Sequence, residues 1–234
     1  MTRRTTGPLL AIDTATRSAV VAVGEPAGRG AHRRWAVGHR HGETLLPMIE
    51  EALVDAGIGL GDLLGIVVGI GPGSFTGLRV GLTVAKTMAY GLSLPIAGIG
   101  TLEALALASG SRGEVHVVLP AGPSDRYVAQ YRIDDGTVTQ LHPPRLAPPG
   151  EPVATDGDDA TFVAVDLEET WFDEATRQRG AVAVERLGPV LLQLGAARLA
   201  AGGDEAATLV PAYVTLPRGL APALVESEWS PDLR

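Results

Sequence analysis

The spacing of hydrophobic positions along the chain changes several times, and each change predicts a new strand or helix. Two short apolar runs at 9–13 and 19–23 are separated by five residues, which predicts a β-hairpin. A third, more polar strand is expected at 31–37. Between 44 and 56 the apolar residues recur at helical spacing, and Gly57 provides a stop signal. This part of the chain is therefore expected to form three strands followed by a helix.

The elements that follow continue the alternation of strand and helix. A continuous apolar run at 64–69 predicts a buried strand, and residues 76–91 predict a long helix. A strand is expected at 95–99, and Thr101 is expected to cap a helix that runs to about residue 109. The order βββαβα is that of half an actin, Hsp70 or sugar-kinase domain. We therefore expect an α/β, ribonuclease H-like fold in which helices pack on mixed sheets.

A second, looser copy of this pattern is expected after residue 108. Its predicted strands are 115–119, 127–133, 137–141 and 161–165, with a proline-rich loop at 143–152 and a closing helix at 190–201. The sequence thus predicts two subdomains, 1–108 and 109–215, and a flexible tail at 216–234.

The amino-acid composition and charge exclude several classes of function. The net charge is −8, with 27 acidic residues against 19 Lys and Arg. Because nucleic-acid affinity comes largely from cations that neutralise phosphates, strong unaided nucleic-acid binding is not expected. The absence of cysteine excludes disulfides and thiol chemistry. No apolar stretch approaches the ~18–20 residues that span a bilayer, so we expect a cytoplasmic protein without membrane contact.

The tip of the first hairpin is a candidate phosphate loop. Asp13, Thr14 and Thr16 lie there, and hydroxyls and turn N–H groups can cradle phosphate while a carboxylate holds Mg²⁺ through water. The same groups can instead satisfy the backbone of the turn. The corresponding loop of the second half, 120–124, lacks the Asp, and its prolines remove N–H donors. We expect a vestigial phosphate loop, and an ATP-binding enzyme of the actin superfamily is the alternative.

The segment 69–79 is the second candidate loop. It follows a predicted strand and precedes a helix, but it lacks the Gly-Lys-Ser/Thr ending of a P-loop and the third glycine of a dinucleotide fingerprint. A structural role is favoured instead. Pro72 and Gly73 are expected to form a tight turn, and Ser74 or Thr76 to cap the helix.

The helix after this loop carries small residues at every fourth position. They are Gly77, Gly81, Ala85 and Ala89. A ridge of small residues allows a second helix to approach closely, and the rest of the helix is apolar almost all round, which is typical of burial on more than one side. We expect the helices at 43–56 and 76–91 to form a partner interface. One side of the 76–91 helix is expected to face the sheet, and the other the 44–56 helix, a partner or both. The expected interface residues, some of which must instead face the sheet, are Leu45, Leu46, Ile49, Leu53, Gly77, Leu78, Gly81, Leu82 and Ala85.

Motifs for metal binding and hydrolysis are weak in this chain. His39 and His41 are two residues apart, which differs from the His-Glu-x-x-His spacing of zinc proteases, and no third ligand is evident. No Gly-x-Ser-x-Gly nucleophile elbow is present. We expect no metal site, and a glycoprotease-like metallopeptidase is the less favoured alternative.

Three motifs together resemble the TsaB (YeaZ) family. They are Leu10-Ala-Ile-Asp-Thr-Ala-Thr16, His41-Gly-Glu-Thr-Leu-Leu-Pro47 and Gly71-Pro-Gly-Ser-Phe-Thr-Gly-Leu-Arg79, the last followed by Gly81. The segment 101–105 resembles the family's next motif, so the likeness covers about residues 8–108. Beyond it the chain departs from the family pattern, since 120–127 keeps little of the family's Asp-Ala-Arg strand and 211–215 lacks its terminal Leu-Arg.

The resemblance implies a specific role. Family members adopt the actin-like fold and act in the bacterial machinery that adds threonylcarbamoyl to the adenosine beside the anticodon, in tRNAs that read codons beginning with A. The paralogous TsaD subunit performs the transfer and holds metal and nucleotide, and TsaE is an ATPase. The resemblance therefore implies a non-catalytic scaffold without a cofactor of its own. It would pair with TsaD or with a second copy through its two N-terminal helices, and meet tRNA only within the complex.

Overall fold

In a computed structural model of the chain, residues 7–26, 30–36, 41–149, 151, 160–167 and 172–214 are described. The strands are β1 Leu9–Asp13, β2 Ser18–Gly24, β3 Gly30–Ala36, β4 Gly65–Gly71, β5 Ile96–Gly100, β6 Gly113–Pro120, β7 Arg126–Asp134, β8 Thr137–Ala147 and β9 Thr161–Ala164. The helices are α1 His41–Ala56, α2 Phe75–Leu92, α3 Thr101–Ala108 and α4 Glu174–Ala200, with a short 3-10 turn at Leu60–Asp62.

The first sheet has the strand order β3-β2-β1-β4-β5. The first three strands form an antiparallel meander, whereas β4 pairs with β1, and β5 with β4, in parallel. The strands β1, β2 and β4 are buried on both faces, which explains their unbroken apolar runs. The predicted order βββαβα and the α/β fold class are confirmed.

The second sheet repeats this arrangement with the order β8-β7-β6-β9. Its first three strands form an antiparallel meander, and β9 pairs with β6 in parallel. The proline-rich loop predicted at 143–152 is wrong over its first part, because β8 continues through Pro143 and Pro144 to Ala147. An edge strand tolerates proline, since the missing N–H need not serve a neighbour on the open side.

The last helix, α4, begins at Glu174, well before the closing helix predicted at 190–201. Asp173 caps it by accepting a hydrogen bond from the N–H of Thr176 at 2.8 Å. Glycines and an internal proline interrupt the helical spacing of apolar residues in α4. The sequence pattern therefore did not predict its first turns. Gly180 has a packing role, because a Cβ there would overlap the carbonyl oxygen of Ala164.

Two apolar cores lie on opposite faces of the first sheet. One is covered by α1 and α2. The other lies between the two sheets and contains α3 and α4. Although α4 comes from the second half, it packs across β1, β2, β4 and β5, and a Cβ on Gly195 would overlap Val67. The boundary between 1–108 and 109–215 stays a prediction, but the two halves share this central core.

The chain returns to the first sheet after α4, and residues 203–214 are called the strap below. The N–H of Asp204 donates to the carbonyl of Ile96, and the N–H of Ala212 donates to that of Ile70, both at 2.8 Å. The strap therefore covers the β5 edge, which would otherwise expose unpaired backbone groups. The tail predicted at 216–234 lies outside the described residues. Within the described part of the chain, no helix is long and apolar enough to cross a membrane.

Candidate functional site

The loop between β1 and β2 turns its polar groups inward. Asp13 is fully buried. The hydroxyl of Thr101 donates to its Oδ2 at 2.7 Å, and the N–H of Ala15 donates to its Oδ1 at 2.8 Å. The Thr101 oxygen also accepts a hydrogen bond from the N–H of Gly71 at 3.1 Å. Thr101 is therefore not the helix cap that the sequence predicts. Gly100 holds that position, and the hydroxyl serves this network instead.

Burial has an electrostatic consequence at Asp13. Removal from water raises the pKa of its carboxyl from 3.8 to about 6, although the hydrogen bonds from Thr101 and Ala15 favour the charged form. A carboxylate that holds Mg²⁺ must present oxygen to the ion or to its waters. Asp13 has no accessible surface and presents its oxygens to the chain itself.

The two threonines of the loop are used in the same way. The hydroxyl of Thr14 donates to the carbonyl of Gly77 at 2.7 Å. The hydroxyl of Thr16 donates to the carbonyl of Ser18 at 3.0 Å and accepts from the N–H of the same residue at 3.2 Å. The structure thus brings the three predicted loop residues together, buried and bonded within the protein. This arrangement favours the turn-satisfying alternative over a phosphate cradle.

The small-residue ridge of α2 faces this loop. A Cβ on Gly77 would overlap the carbonyl oxygen of Thr14, and a Cβ on Gly81 would overlap its Oγ1. The prediction that these two glycines form a docking ridge for a second helix is therefore wrong, because the chain's own loop occupies that space. Close packing is the reason for the glycines, as the helix pattern suggested, but the contact is intramolecular.

Two glycines before α2 serve the same loop. A Cβ on Gly69 would overlap the Asp13 carboxylate, and a Cβ on Gly73 would overlap the carbonyl oxygen of Ala15. The turn between β4 and α2 contains a cis Gly71–Pro72 peptide. Ser74 is the N-cap of α2, with its hydroxyl accepting from the N–H of Gly77 at 3.1 Å. The glycine-rich segment therefore closes over the hairpin tip, and its predicted structural role fits these contacts.

The predicted interface residues lie mostly in the core. Those that are buried are Leu45, Ile49, Leu53, Gly77, Leu78, Gly81, Leu82 and Ala85. Only Leu46 has a large exposed fraction, 57%. The expectation that some of the nine face the sheet is met by most of them, because the dominant apolar faces of both helices pack on the first sheet. Their assignment to a partner surface stays a prediction. A helical period shows that one face is apolar but does not show what covers it.

An apolar groove nevertheless lies on the outer face of α1. It has a volume of about 620 Å³. Its lining residues are Leu46, Ile49, Glu50, Leu53, Val54, Gly57, Ile58, Gly59, Leu60 and Met88. Val54 is 72% exposed and Leu60 is 46% exposed, and the sequence analysis did not select either. The sequence did contain an indication of this groove. Residues 44–60 include more apolar side chains than a helix needs when it packs on the core with only one face.

A second depression lies where the strap meets the start of α2. It has a volume of about 590 Å³, and its far wall is the β6–β7 loop that corresponds to the second phosphate loop. The rings of Phe75 and Tyr213 lie 5.7 Å apart, and the Arg79 guanidinium stacks 3.8 Å from the Phe75 ring centre. Aromatic and proline surfaces dominate this cleft. None of the described residues that line it is a Lys or Arg. Nearby, the Arg79 guanidinium stacks on Phe75 and its Nε donates to the Tyr213 hydroxyl at 3.4 Å, an arrangement unlike a polyphosphate site.

The metal alternative gains no support from the described residues. Among them, no group of three or more His, Asp or Glu side chains is placed to hold a metal ion. The side chains of His39 and His41 lie outside the described part of the structure.

Comparisons with known proteins agree with this geometry. The family model of TsaD, tRNA N6-adenosine threonylcarbamoyltransferase, matches residues 35–158. The tRNA threonylcarbamoyladenosine biosynthesis protein TsaB of Escherichia coli is 33% identical over 133 residues, which are 56% of this chain and 57% of that protein. A tRNA N6-adenosine threonylcarbamoyltransferase of Geotalea uraniireducens is 45% identical over 82 residues, 35% of this chain and 24% of that enzyme. The chain thus matches about half or less of the length of these relatives.

A solved structure extends the likeness to the whole fold. YeaZ from Pseudomonas aeruginosa superimposes with a TM-score of 0.71 at 27% identity, over 88% of this chain and 99% of that one. The topology of the two sheets, with α4 between them, defines an α/β protein of the actin-like class. The chain belongs to the threonylcarbamoyltransferase-related TsaD family, as a member of its TsaB/YeaZ group. The family resemblance drawn from the three motifs is confirmed.

Proposed function

We propose that this protein is the non-catalytic docking subunit of the complex that adds threonylcarbamoyl to the adenosine beside the anticodon of tRNA. The observation that carries the proposal is the apolar groove on α1, in a chain of the TsaB/YeaZ group. A TsaD-like transferase is the proposed partner. A TsaE-like ATPase completes the proposed complex, and tRNA meets this chain only through it.

The burial of the β1–β2 hairpin tip supports the role of a subunit that does not itself bind a nucleotide. The three predicted phosphate-loop residues are buried and hydrogen-bonded to the protein. Opening them to a ligand would break contacts with α2 and α3 before any new bond formed. ATP and metal are therefore proposed to bind on the partner subunits, and this chain needs no cofactor.

The groove supports docking by a helix or an apolar ridge. Leu46 and Val54 stand at its mouth, with Ile49 and Leu53 at its base. Exposed apolar surface of this kind is unfavourable in water and is relieved when a partner covers it. Interfaces of subunits that function as a pair have such apolar centres.

The test is co-elution and calorimetry with the TsaD-type transferase of the same organism. Leu46→Asp and Val54→Asp are expected to weaken binding at least tenfold, because each buries a carboxylate at an apolar contact. The matched control is Val210→Asp, which changes an apolar side chain that is 62% exposed on the strap, away from the groove. If the groove variants bind as tightly as Val210→Asp, with circular dichroism showing all three folded, the proposed docking face is wrong.

The alternative function, an ATP-binding enzyme, is distinguished from the scaffold by nucleotide binding. Calorimetry of the isolated chain with Mg-ATP is expected to show no binding at micromolar concentrations, since Asp13, Thr14 and Thr16 are at most 3% exposed and are hydrogen-bonded within the protein. Micromolar binding that is lost in Asp13→Asn would replace the scaffold proposal with the enzyme.

A further inference from the structure

The depression between the strap, the start of α2 and the β6–β7 loop is called the aromatic cleft below. Phe75 of α2 and Tyr213 of the strap line it and are 38% and 41% exposed. Pro120, Pro123 and Tyr127, from the second half of the chain, line it as well. Exposed apolar surface of this kind is unfavourable in water, so a segment that covers the cleft stabilises the fold.

The wall made by α2 and the strap is held in place by the protein. The N–H of Ala212 donates to the carbonyl of Ile70 at 2.8 Å. The Arg79 guanidinium lies over the Phe75 ring, and its Nε donates to the Tyr213 hydroxyl at 3.4 Å. The cleft is therefore a preformed surface, and little ordering of its wall is required when a ligand binds.

The size and charge of the cleft suit a short peptide segment better than a folded domain. Pockets for small ligands enclose about 300–1,000 Å³, and the cleft, at about 590 Å³, has room for the side chains of a few residues. Its described lining residues include Asp125 and no Lys or Arg. An apolar segment with a positive charge fits this lining.

The chain itself supplies such a segment directly after the strap. Residues 215–225 have the sequence Thr-Leu-Pro-Arg-Gly-Leu-Ala-Pro-Ala-Leu-Val, in which Arg218 is the only charged residue. Pro217 and Pro222 each bias the preceding residue towards extended backbone. Proline-containing segments bind aromatic-lined grooves in this extended form.

The connection to the strap favours the chain's own segment over a separate molecule. Tyr213 belongs to the cleft wall, and Thr215 follows it two positions later. The eleven residues 215–225 span at most about 40 Å when extended, more than a cleft of this volume requires. A ligand attached by so short a connection acts at an effective concentration on the order of millimolar.

We infer that residues 215–225 of this chain occupy the aromatic cleft, with their apolar side chains against Phe75, Tyr213 and Tyr127. This contact lies outside the proposed function and does not depend on the α1 groove. It replaces the expectation of a flexible tail for these eleven residues alone. By bridging the strap and the β6–β7 loop, the segment holds the two halves of the protein together across the cleft.

The first test removes the segment and measures amide hydrogen exchange of the β6–β7 loop. A chain that ends at Val214 is expected to exchange about threefold to tenfold faster at residues 121–127 than the full chain. The matched control ends at Val225 and lacks only the acidic residues 226–234. It keeps the segment and should exchange as the full chain does.

Point substitutions in the full chain test the same contact without truncation. Leu220→Asp/Leu224→Asp places carboxylates at an apolar contact and should accelerate exchange at 121–127 to the same extent as truncation at Val214. Leu233→Asp introduces a carboxylate in the last residues of the chain and should leave this exchange unchanged. Circular dichroism of each variant checks that it is folded.

A synthetic peptide of residues 215–225 provides an independent test by calorimetry. It should bind the chain that ends at Val214 at least tenfold more tightly than the full chain, whose own segment competes with it. Phe75→Ala in the shortened chain should weaken peptide binding about fivefold to tenfold. Tyr90→Ala, at an 88% exposed ring near the other end of α2, is the control and should have no effect.

Three results would overturn the inference. The first is unchanged exchange at 121–127 after truncation at Val214 or in Leu220→Asp/Leu224→Asp. The second is equal binding of the peptide to the shortened and full chains. The third is protection of the cleft only after the TsaD-type transferase is added, because the cleft would then belong to a partner surface.

Discussion

The hydroxyl of Thr101 donates a 2.7 Å hydrogen bond to the buried carboxylate of Asp13, joining residues 88 positions apart. The same hydroxyl oxygen accepts from the N–H of Gly71 at the entrance to the α2 loop. One side chain thereby connects the first hairpin, the glycine-rich turn and the start of α3. The hairpin tip that the sequence suggests as a phosphate loop is here buried and hydrogen-bonded within the protein.

The Thr101 connection should make a measurable contribution to stability. Thr101→Val keeps the shape but leaves Oδ2 of the Asp13 carboxylate without its donor and the Gly71 N–H without an acceptor. We expect a loss of about 2–4 kcal/mol in the free energy of unfolding, measured by urea denaturation at neutral pH. Thr139→Val, at an exposed position on β8, should change stability by no more than about 0.5 kcal/mol. Equal effects of the two substitutions would show that the network adds nothing.

The raised pKa of Asp13 predicts a pH dependence of stability. The folded state binds this proton more tightly than the unfolded chain, because the pKa is about 6 when folded against 3.8 normally. The contribution of Asp13 to the free energy of unfolding is therefore greatest below pH 4 and falls as the pH rises through 6. A shift of this size corresponds to about 3 kcal/mol.

Asp13→Asn removes this titration and isolates its effect. The difference in unfolding free energy between the unmodified chain and Asp13→Asn should change by about 2–3 kcal/mol between pH 4 and pH 7, in favour of the variant as the pH rises. Thr139→Val, which changes an exposed side chain that does not titrate, serves as the control and should show a nearly constant difference. Parallel stability curves for the Asp13 variant would contradict the assignment.

The close approach of α2 to the hairpin predicts opposite outcomes for two glycines of one helix. Gly81→Ala places a methyl group against the Thr14 hydroxyl and should destabilise the fold by about 1–3 kcal/mol. Gly91 has no atom within 4 Å of the corresponding position, so Gly91→Ala should be neutral or stabilise by up to about 1 kcal/mol. Thermal or urea unfolding of the isolated chain measures the stability change of each variant. A neutral Gly81→Ala would mean that the loop and helix are less closely packed.

The strap is expected to depend on Lys86, the only lysine of the chain. Its amino group donates to the carbonyls of Ala207 and Leu209. Lys86→Met removes these donors and should increase amide hydrogen exchange at Asp204 and Ala212 about threefold to tenfold. The control is Arg112→Met, at a side chain that is 81% exposed. Unchanged exchange in Lys86→Met would show that backbone pairing alone holds the strap.

The sequence by itself determined the order of elements and the fold class. The strands of the first sheet have continuous apolar runs, and α1, α2 and α3 have clear helical periods, so local pattern was sufficient there. The family assignment followed from three motifs, all of which lie in this regular half. The start of α4 and the end of β8 were missed, because their glycines and prolines are tolerated only through packing and edge position.

Only the tertiary structure decided which surfaces face solvent. Periodicity shows that α2 has a ridge of small residues, but the Thr14 loop, distant in sequence, fills it. It also shows that α1 is apolar, but not that the sheet covers Leu45 while Leu46 and Val54 remain exposed. Neither Asp13 nor Thr101 has a sequence neighbour that predicts its partner. These contacts depend on how distant segments meet in three dimensions, and a one-dimensional pattern does not contain that information.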